Sequence, residues 1–480
     1  MFEADLIRNK LIAENQISDN AVIKDWIDAD LKSSSKKEMY DGTNYYLARH
    51  DILDVNFNEY IVNGQKIKDP NKANNQHINP FHRLLVQQKM GYIVGKPIVI
   101  TAEDKKLSEA VNDALGMKFD DVIVDLIKGA SNKGLEWLHP FIDENGNFDY
   151  IIIPAEQVIP IYDTSYQKNL QYVIRYYTMQ VVKGNEVVSR YKVELWDNEK
   201  VTYFIEDDEG YFQYDDTEPI NPKYHWYSYN TNNPDNVTPN SWGKIPFINM
   251  DNNGEQTSDL RPIKKYIDAY DRVSSGFLND LEDIQLAIWI LRGYEGTDLS
   301  EFMKNLIQFK AMKVSEDGGV DNKTIEIPVE ARKIMLEILE DKIYEIGQGV
   351  KMSTDKFGQN PSGVALQFLY SGLDLKANTT IRKLKKALMD FMWFVAHYIN
   401  MKNKTKYDYK SIKFTINKTM ITNEKEQIEN CMNSKGIVPD DIILANHPWV
   451  DDVEEAKKML EDQRAIDLDD IDDGTGDDDQ

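Results

Sequence analysis

The residues whose types and spacing could do chemistry form incomplete patterns. Gly91–Lys96 (GYIVGK) has the glycines and lysine of a phosphate-binding loop. That motif needs four residues between its glycines and a Ser or Thr after the lysine, whereas here three residues intervene and Pro97 follows. We interpret the segment as a helix end packed through small residues. The acid pair Glu282 and Asp283 could do acid–base chemistry, but on a long amphipathic helix such a pair is typical of a solvated face.

The sequence also lacks a recognised motif for metal binding or redox chemistry. The seven histidines are scattered, and no H-E-x-x-H, C-x-x-C, EF-hand or G-x-S-x-G spacing occurs. The single cysteine, Cys431, cannot form an internal disulfide, which indicates a reducing assembly compartment. It is most simply a packed apolar residue. The sequence therefore predicts no metal site, no cofactor and no enzyme.

Composition narrows the class of protein. The 480 residues are 41% hydrophobic, which fits a folded chain of about three domains at roughly 150 residues each. Lys and Arg number 56 against 81 Asp and Glu, a net charge of −25, which argues against wrapping nucleic acid by neutralising phosphates. The negative charge remains compatible with a protein surface along which DNA passes without adhering. We expect no signal peptide, and Ala387–Ile399 is too short and too polar to span a membrane.

The first third of the chain is predicted to be mainly helical. A short hairpin or loop is expected over residues 51–79, followed by a helix with Asn79 as N-cap and Pro80 at its first position. Gly116 and Gly134 should end two amphipathic helices. The predicted helices cover residues 1–50, 80–96, 103–115 and 119–133.

From Leu135 to about Tyr229 the pattern changes to alternation between apolar and polar residues, which indicates an antiparallel β region. Hairpin turns are expected at Asn145-Gly146, at Lys183-Gly184-Asn185 and at Asp197-Asn198. The Pro- and Asn-rich residues 230–246 are predicted to form a loop between two bodies.

The second half is dominated by long helices. Thr257–Leu291 carries a continuous apolar stripe, and Glu330–Gly349 is also predicted to be helical. Between them, strand-like pieces surround a turn at Glu316–Gly319. A helix with possible kinks at Gly363 and Gly372 should run from Pro361 to about Met401, and a strand (SIKFTIN) and short helices should follow. The last 14 residues contain eight Asp and should be disordered. The fold class is therefore α+β.

The predicted helices and strands, in this order along the chain, resemble those of portal proteins of tailed bacteriophages. The resemblance is to the siphovirus type from Gram-positive hosts. Four segments carry the resemblance, and together they cover much of the chain. They are NNQHINPFHRLLVQQKMGYIVGKPI (74–98), LIKGASNKGLEWLHPFIDENG (126–146), WGKIPFINMDNNGEQTSDLRPIKKYIDAYDRVSSGFLNDLEDIQLAIWILRGYEG (242–296) and NPSGVALQFLYSGLDLKAN (360–378).

The resemblance implies the phage portal fold, with distinct regions. These are a mainly helical wing at 1–256 with its β region at about 135–230, a stem helix at 257–291, a small α/β clip at 292–329, a second stem helix at 330–350, a tunnel loop at 351–360, a long kinked wing helix at 361–401, a helical crown at 402–466 and an acidic tail at 467–480.

The resemblance also implies a function. Such proteins form a dodecameric ring at one capsid vertex, through which double-stranded DNA passes during packaging and ejection without sequence specificity. The implied partners are a terminase large subunit, a head-completion or adaptor protein, and the major capsid and scaffolding proteins. The implied location is the virion, after assembly in the host cytoplasm, with no membrane.

Three groups of residues follow as candidate sites. Repeated around a ring, the stem acids would repel DNA phosphates from the wall of the bore, while the loop lysines would touch phosphates transiently. The clip turn would lie near the surface on which the motor docks. The groups are the acidic stem Asp280, Glu282 and Asp283; the tunnel loop Lys351, Ser353, Thr354, Lys356 and Gln359; and the clip turn Glu316, Asp317, Gly318 and Gly319.

Other interpretations remain open. The loop lysines could be solvated in an ordinary flexible loop, and the acidic tail could either solubilise the chain or repel DNA beneath the crown. The chain could instead be a nucleotide- or metal-dependent DNA-processing enzyme of the packaging apparatus. A third possibility is an acidic scaffold that never forms a ring.

Overall fold

The computed structural model describes residues 20–463, apart from gaps at 63, 71, 164, 167, 185, 231–232, 284–287, 293–318, 324–327, 352–362, 420–423, 451–452 and 454–455. The chain forms two compact units. The first runs to Gly349 and resumes over Leu375–Lys418, and the second comprises Val350–Asp374 and the residues from Thr419 onward.

Helices dominate both units. Their bounds are α1 Asn20–Leu31, α2 Ser34–Tyr46, α3 Phe81–Val94, α4 Lys105–Leu115, α5 Phe119–Lys133, α6 Lys264–Asp283, α7 Val329–Gly347, α8 Gly363–Asn403, α9 Glu424–Asn433 and α10 Asp440–Ala445. Among the described helices, none combines the length and apolar composition needed to cross a bilayer.

The strands form several small antiparallel sheets and one larger sheet. They are β1 Glu59–Val62, β2 Gln65–Lys68, β3 Val99–Ala102, β4 Leu135–Ile142, β5 Phe148–Ile153, β6 Val158–Tyr162, β7 Leu170–Lys183, β8 Glu186–Trp196, β9 Lys200–Glu206, β10 Phe212–Tyr214, β11 Lys223–Tyr224, β12 Trp226–Asn230, β13 Asn233–Asn240, β14 Ile248–Asp251, β15 Ile288–Arg292, β16 Gly319–Lys323 and β17 Ile412–Thr415. The largest sheet has the order β10-β9-β8-β7-β6, with β11 also paired to β9.

The predicted antiparallel β region and its turns are confirmed. Hairpins connect β4 to β5, β7 to β8 and β8 to β9 at the three expected turns, and Gly146 and Gly184 both have positive φ. One face of the large sheet is covered by α1, whose Ile23, Trp26 and Ile27 join the sheet's buried residues in a single core cluster. The mixed helix and sheet composition agrees with the α+β expectation.

Helix α5 has the predicted bounds. Gly134 adopts the left-handed conformation (φ 93°) that ends it, and the backbone of Gln256 passes so close that a Cβ at Gly134 would lie 2.2 Å from its carbonyl oxygen. At α3 the prediction is one residue early. Pro80 precedes the helix, and no side chain caps it.

The predicted stem helix over 257–291 is too long at both ends. Helix α6 begins only at Lys264, because residues 259–263 form turns in which Leu260 N donates to Ser258 Oγ and Asp259 binds the buried Lys89. At the other end Ile288–Arg292 is strand β15, paired with β16, so long-range strand pairing outweighs the local helical periodicity of IWILR. The four residues before Arg292 that were assigned to the stem therefore belong to the strand pair.

Two further boundaries differ from the predictions. Residues 233–240, expected in a loop, form β13, whose one partner among the described strands is β12, so its Pro239 is tolerated at a sheet edge. Strand β17 was assigned to a crown starting at 402, but it pairs with β3 and belongs to the first unit, which extends to Lys418. Helices α7 and α8 lie within two residues of their predicted positions.

The close packing of α2 on α5 yields a test with a matched control. A Cβ at Gly42 would lie 1.7 Å from the carbonyl oxygen of Asn132, whereas a Cβ at Gly91, in helix α3, meets no atom within 4 Å. Gly42→Ala should destabilise the protein by about 1–3 kcal/mol through overpacking. Gly91→Ala should stabilise it by up to about 1 kcal/mol through helix propensity. Thermal unfolding measures both, and equal midpoints would contradict the packing described here.

Candidate functional site

The site is built around the pair of helices α6 and α7. Arg332 of α7 joins them, because its guanidinium forms an ion pair with Asp280 and lies 5.6 Å from the centre of the Phe277 ring. Its Nη1 also donates to the carbonyl oxygen of Gly276 at 3.4 Å. The candidate stem acid Asp280 is thus partly neutralised within its own chain.

A second face of α6 is covered by an extended segment, residues 73–80, which we name the strap. Four short polar side chains of α6, spaced four residues apart, accept hydrogen bonds from alternate backbone N–H groups of the strap. The bonds run from Ala73 to Asp283 Oδ1 (2.9 Å), Asn75 to Asn279 Oδ1 (2.6 Å), His77 to Ser275 Oγ (2.8 Å) and Asn79 to Asp271 Oδ1 (2.9 Å).

The match between strap and helix is geometric. Four residues of an α-helix rise about 6 Å, and two residues of an extended chain advance about 6.6 Å. The N–H groups of an extended chain alternate in direction, so every second one meets the next helix turn. Asp271, Ser275 and Asn279 are buried, and the strap therefore supplies partners for polar groups that would otherwise be costly to bury.

The N-terminal half of α6 is held by a buried pair. His50 Nδ1 lies 2.6 Å from Asp271 Oδ2, and both side chains are fully buried. The His50 ring stacks on Tyr45 with centroids 4.3 Å apart. The Tyr45 hydroxyl donates to Asp268, and burial together with this carboxylate raises the pKa of Tyr45. The helix is thereby fixed both to the strap and to the segment after α2.

All three candidate stem acids have partners within the chain. Asp280 pairs with Arg332, Asp283 accepts the Ala73 N–H, and the exposed Glu282 accepts from Asn75 Nδ2 at 2.8 Å. The sequence suggested an uncompensated acidic stretch because no Lys or Arg lies close to these acids along the chain. The base that meets Asp280 comes from 52 residues further along. Nothing in the spacing of the acids could have revealed it.

A buried charge cluster lies where α3, α8 and the end of α7 meet. Asp259 Oδ2 is 3.1 Å from Lys89 Nζ and 3.3 Å from Lys376 Nζ. Lys376 also donates to the carbonyl oxygen of Gly347, in the last turn of α7, at 3.1 Å. Burial alone would raise the pKa of Asp259, but the two lysines outweigh it and hold that pKa well below its usual range. Sequence reasoning missed this cluster, whose members are far apart along the chain.

The remaining candidate residues are only partly described. Lys351 is half-buried and belongs to the second unit, while Ser353, Thr354, Lys356 and Gln359 lie outside the described residues. Gly319 opens β16 and pairs with Arg292, and Glu316, Asp317 and Gly318 also lie outside the described part.

The motifs that were set aside have structural roles. Gly91 lies within α3 and Gly95 follows its last residue, which confirms that the segment is a helix end. Packing through the small residues was wrong, because both glycines are exposed and a Cβ at Gly91 would meet no atom within 4 Å. Cys431 is buried, as expected. Across the described residues, no group of three or more His, Cys, Asp or Glu side chains is arranged to hold a metal ion.

The chain belongs to the family described as Phage portal protein, SPP1 Gp6-like, which matches residues 30–467. It is similar to the portal protein of Bacillus phage SPP1, with 36% identity over 432 residues, covering 88% of this chain and 82% of the relative. It is also similar to the portal protein of Clostridium phage phiCD119, with 36% identity over 460 residues, covering 90% of this chain and 94% of the relative. The resemblance carried by the four segments is thus confirmed, and a portal role follows.

Two solved structures are similar to this chain at much lower sequence identity. The virion of a native gene transfer agent particle matches with a TM-score of 0.41 and 10% identity, over 75% of this chain and 87% of that one. The neck of the native particle, computed with C12 symmetry, matches with a TM-score of 0.38 and 10% identity, over 77% and 90%.

Two neighbouring serines test the four hydrogen bonds between the strap and α6, which we call the ladder. Ser275 is fully buried and accepts the His77 N–H, whereas Ser274 makes a 3.5 Å contact with the His77 ring at the surface. Ser275→Ala should lower the free energy of unfolding by about 1–2 kcal/mol, because the His77 N–H loses the buried hydroxyl that accepts its hydrogen bond. Ser274→Ala should change it by less than about 0.5 kcal/mol. Chemical denaturation measures both, and a neutral Ser275→Ala would contradict the ladder.

Proposed function

We propose that copies of this chain close into a ring, expected to be a dodecamer, at one vertex of a phage capsid. Double-stranded DNA passes through the bore during packaging and ejection, without sequence being read. Family membership supports the portal role. The exposed side of α7 supports assembly of many copies.

The observation that carries the ring is an apolar surface on α7. Ile334, Met335 and Ile338 are 47%, 45% and 51% exposed in the single chain. A helix with apolar residues on its outer side as well as its inner side is expected to be covered by a partner. A second copy that contacts this surface with a different surface of its own makes a heterologous contact, and such contacts give a ring when the rotation between neighbouring copies closes.

The regions of the portal fold map onto the described elements as follows. Helices α6 and α7 form the stem, and the strand pair β15–β16 belongs to the clip, which we therefore start at 288 rather than at 292 and end at 329. The wing comprises 1–256 and the long helix 361–401. We place the crown after Lys418 rather than at 402, because β17 pairs within the first unit.

DNA would meet two kinds of residue. Lys351, Ser353, Thr354, Lys356 and Gln359 form the tunnel loop, where the lysines touch phosphates transiently. Glu282 and Asp283 contribute negative charge to the stem and disfavour adhesion of DNA, which carries one charge per roughly 1.7 Å. Asp280 contributes less, because Arg332 pairs with it.

The partners follow from the same proposal. A terminase large subunit docks on the clip near Glu316, Asp317, Gly318 and Gly319, and a head-completion or adaptor protein replaces it. Major capsid and scaffolding proteins surround the wing. The ring is assembled in the host cytoplasm and resides in the virion, and the motor supplies ATP hydrolysis. ATPase or nuclease activity of the purified protein would favour the alternative, a DNA-processing enzyme.

The tunnel loop is tested by removing its positive charge. The Lys351→Ala/Lys356→Ala double variant should still form rings but should package DNA several-fold more slowly, because the transient phosphate contacts are lost. Lys356→Ala alone should show a smaller effect in the same direction. Native mass spectrometry measures the rings, and nuclease protection in a reconstituted packaging reaction measures the DNA.

The matched control is Lys105→Ala/Lys106→Ala, which removes two exposed lysines from α4. It should leave both measurements unchanged. Normal packaging by the loop variant would show that these lysines do not contact DNA during translocation.

A further inference from the structure

Among the described residues, little covers the hairpin β1–β2. Its two strands form a separate sheet, with Tyr60 paired to Ile67 and Ile61 paired to Lys66. All four residues of β2 are exposed, and Ile61 is 71% exposed. An isolated two-stranded hairpin is marginally stable in water. A surface that covers this one would therefore stabilise it.

The base of the hairpin is nevertheless fixed to the stem. Asp69 N donates to the carbonyl oxygen of Asn58 at 2.8 Å, and Phe57 N donates to Asn74 Oδ1 at 2.7 Å. Asn74 belongs to the strap, which is bonded along α6. The hairpin therefore projects from a rigid base.

The hairpin has a basic and apolar face. Directly paired residues of an antiparallel ladder share a face, so Ile61 lies beside Lys66, and Lys68 is paired with Glu59 on the same side. The face thus carries two exposed lysines and an exposed isoleucine against a single carboxylate, that of Glu59.

Helix α7 offers the complementary surface. Glu330, Ile334, Glu337 and Ile338 are all exposed, and their spacing places them on one side of the helix. We name these four residues the α7 stripe. Two isoleucines and two carboxylates match the apolar and positive groups of the hairpin face.

The two surfaces lie on different flanks of α6. The strap occupies the side defined by Asp271, Ser275 and Asn279, whereas Arg332 of α7 reaches Gly276 and Asp280. At 100° per residue the centres of these two sets are separated by about 120° around the helix. A copy therefore presents the hairpin on one flank and the α7 stripe on another, as a heterologous contact requires.

We propose that the β1–β2 hairpin of one copy docks on the α7 stripe of the next copy. The proposal rests on the ring described above and adds the pair of surfaces that joins neighbouring stems. Lys66 and Lys68 meet Glu330 and Glu337, and Ile61 packs against Ile334 and Ile338.

Disulfide trapping between copies tests the contact. In a Cys431→Ser background, which removes the chain's single cysteine, Ile61→Cys and Ile338→Cys are placed in two separately tagged proteins and co-expressed. Mild oxidation of the mixed rings should yield a covalent dimer that carries both tags, and neither protein alone should yield one. Val182→Cys, at another exposed position (73% exposed), replaces Ile61→Cys as the control and should give no dimer with Ile338→Cys.

Charge reversal provides an independent measurement. Lys66→Glu/Lys68→Glu should raise the concentration needed for ring formation several-fold, and combining it with Glu330→Lys/Glu337→Lys should restore assembly. Lys105→Glu/Lys106→Glu is the matched control. Rings that form normally without the cross-link would overturn the docking proposal and leave the conduit intact. A protein that forms no rings at all would overturn the proposed function itself.

Discussion

The row of hydrogen bonds between the strap and α6 is the constraint on which the position of the helix pair α6 and α7 depends. Four acceptors repeat every four residues on the helix, and four donors repeat every two residues on the strap. Because the two repeats advance by nearly the same distance, one register satisfies every pair at once. A shift by one strap residue would turn the donors away and leave buried polar groups without partners.

This constraint has consequences on both sides of α6. On the strap side it fixes the base of the β1–β2 hairpin, which is otherwise exposed. On the other side Arg332 sets α7 against α6, and Lys376 holds the last turn of α7 next to the cluster around Asp259. The result is a pair of helices held together from both sides of α6.

Local signals predicted the parts of the fold that depend on neighbouring residues. The bounds of α5, its end at Gly134 and the hairpin turns follow from periodicity and glycine placement. Contacts distant in sequence were not predictable in this way. The pairing of β15 with β16 shortens the stem helix, β17 pairs with β3, and Arg332 meets Asp280. The strap looked like a loop because its regularity lies in the match to α6 rather than in its own pattern.

Amide hydrogen exchange over residues 72–80 tests the ladder most directly. We expect an alternating pattern, because Ala73, Asn75, His77 and Asn79 donate to α6 while the intervening amides point to the other side of an extended chain. The four donors should exchange at least about tenfold more slowly than Asn74, Gln76 and Ile78, since each donor is released only when the strap opens. Uniformly fast exchange along the strap would contradict the account.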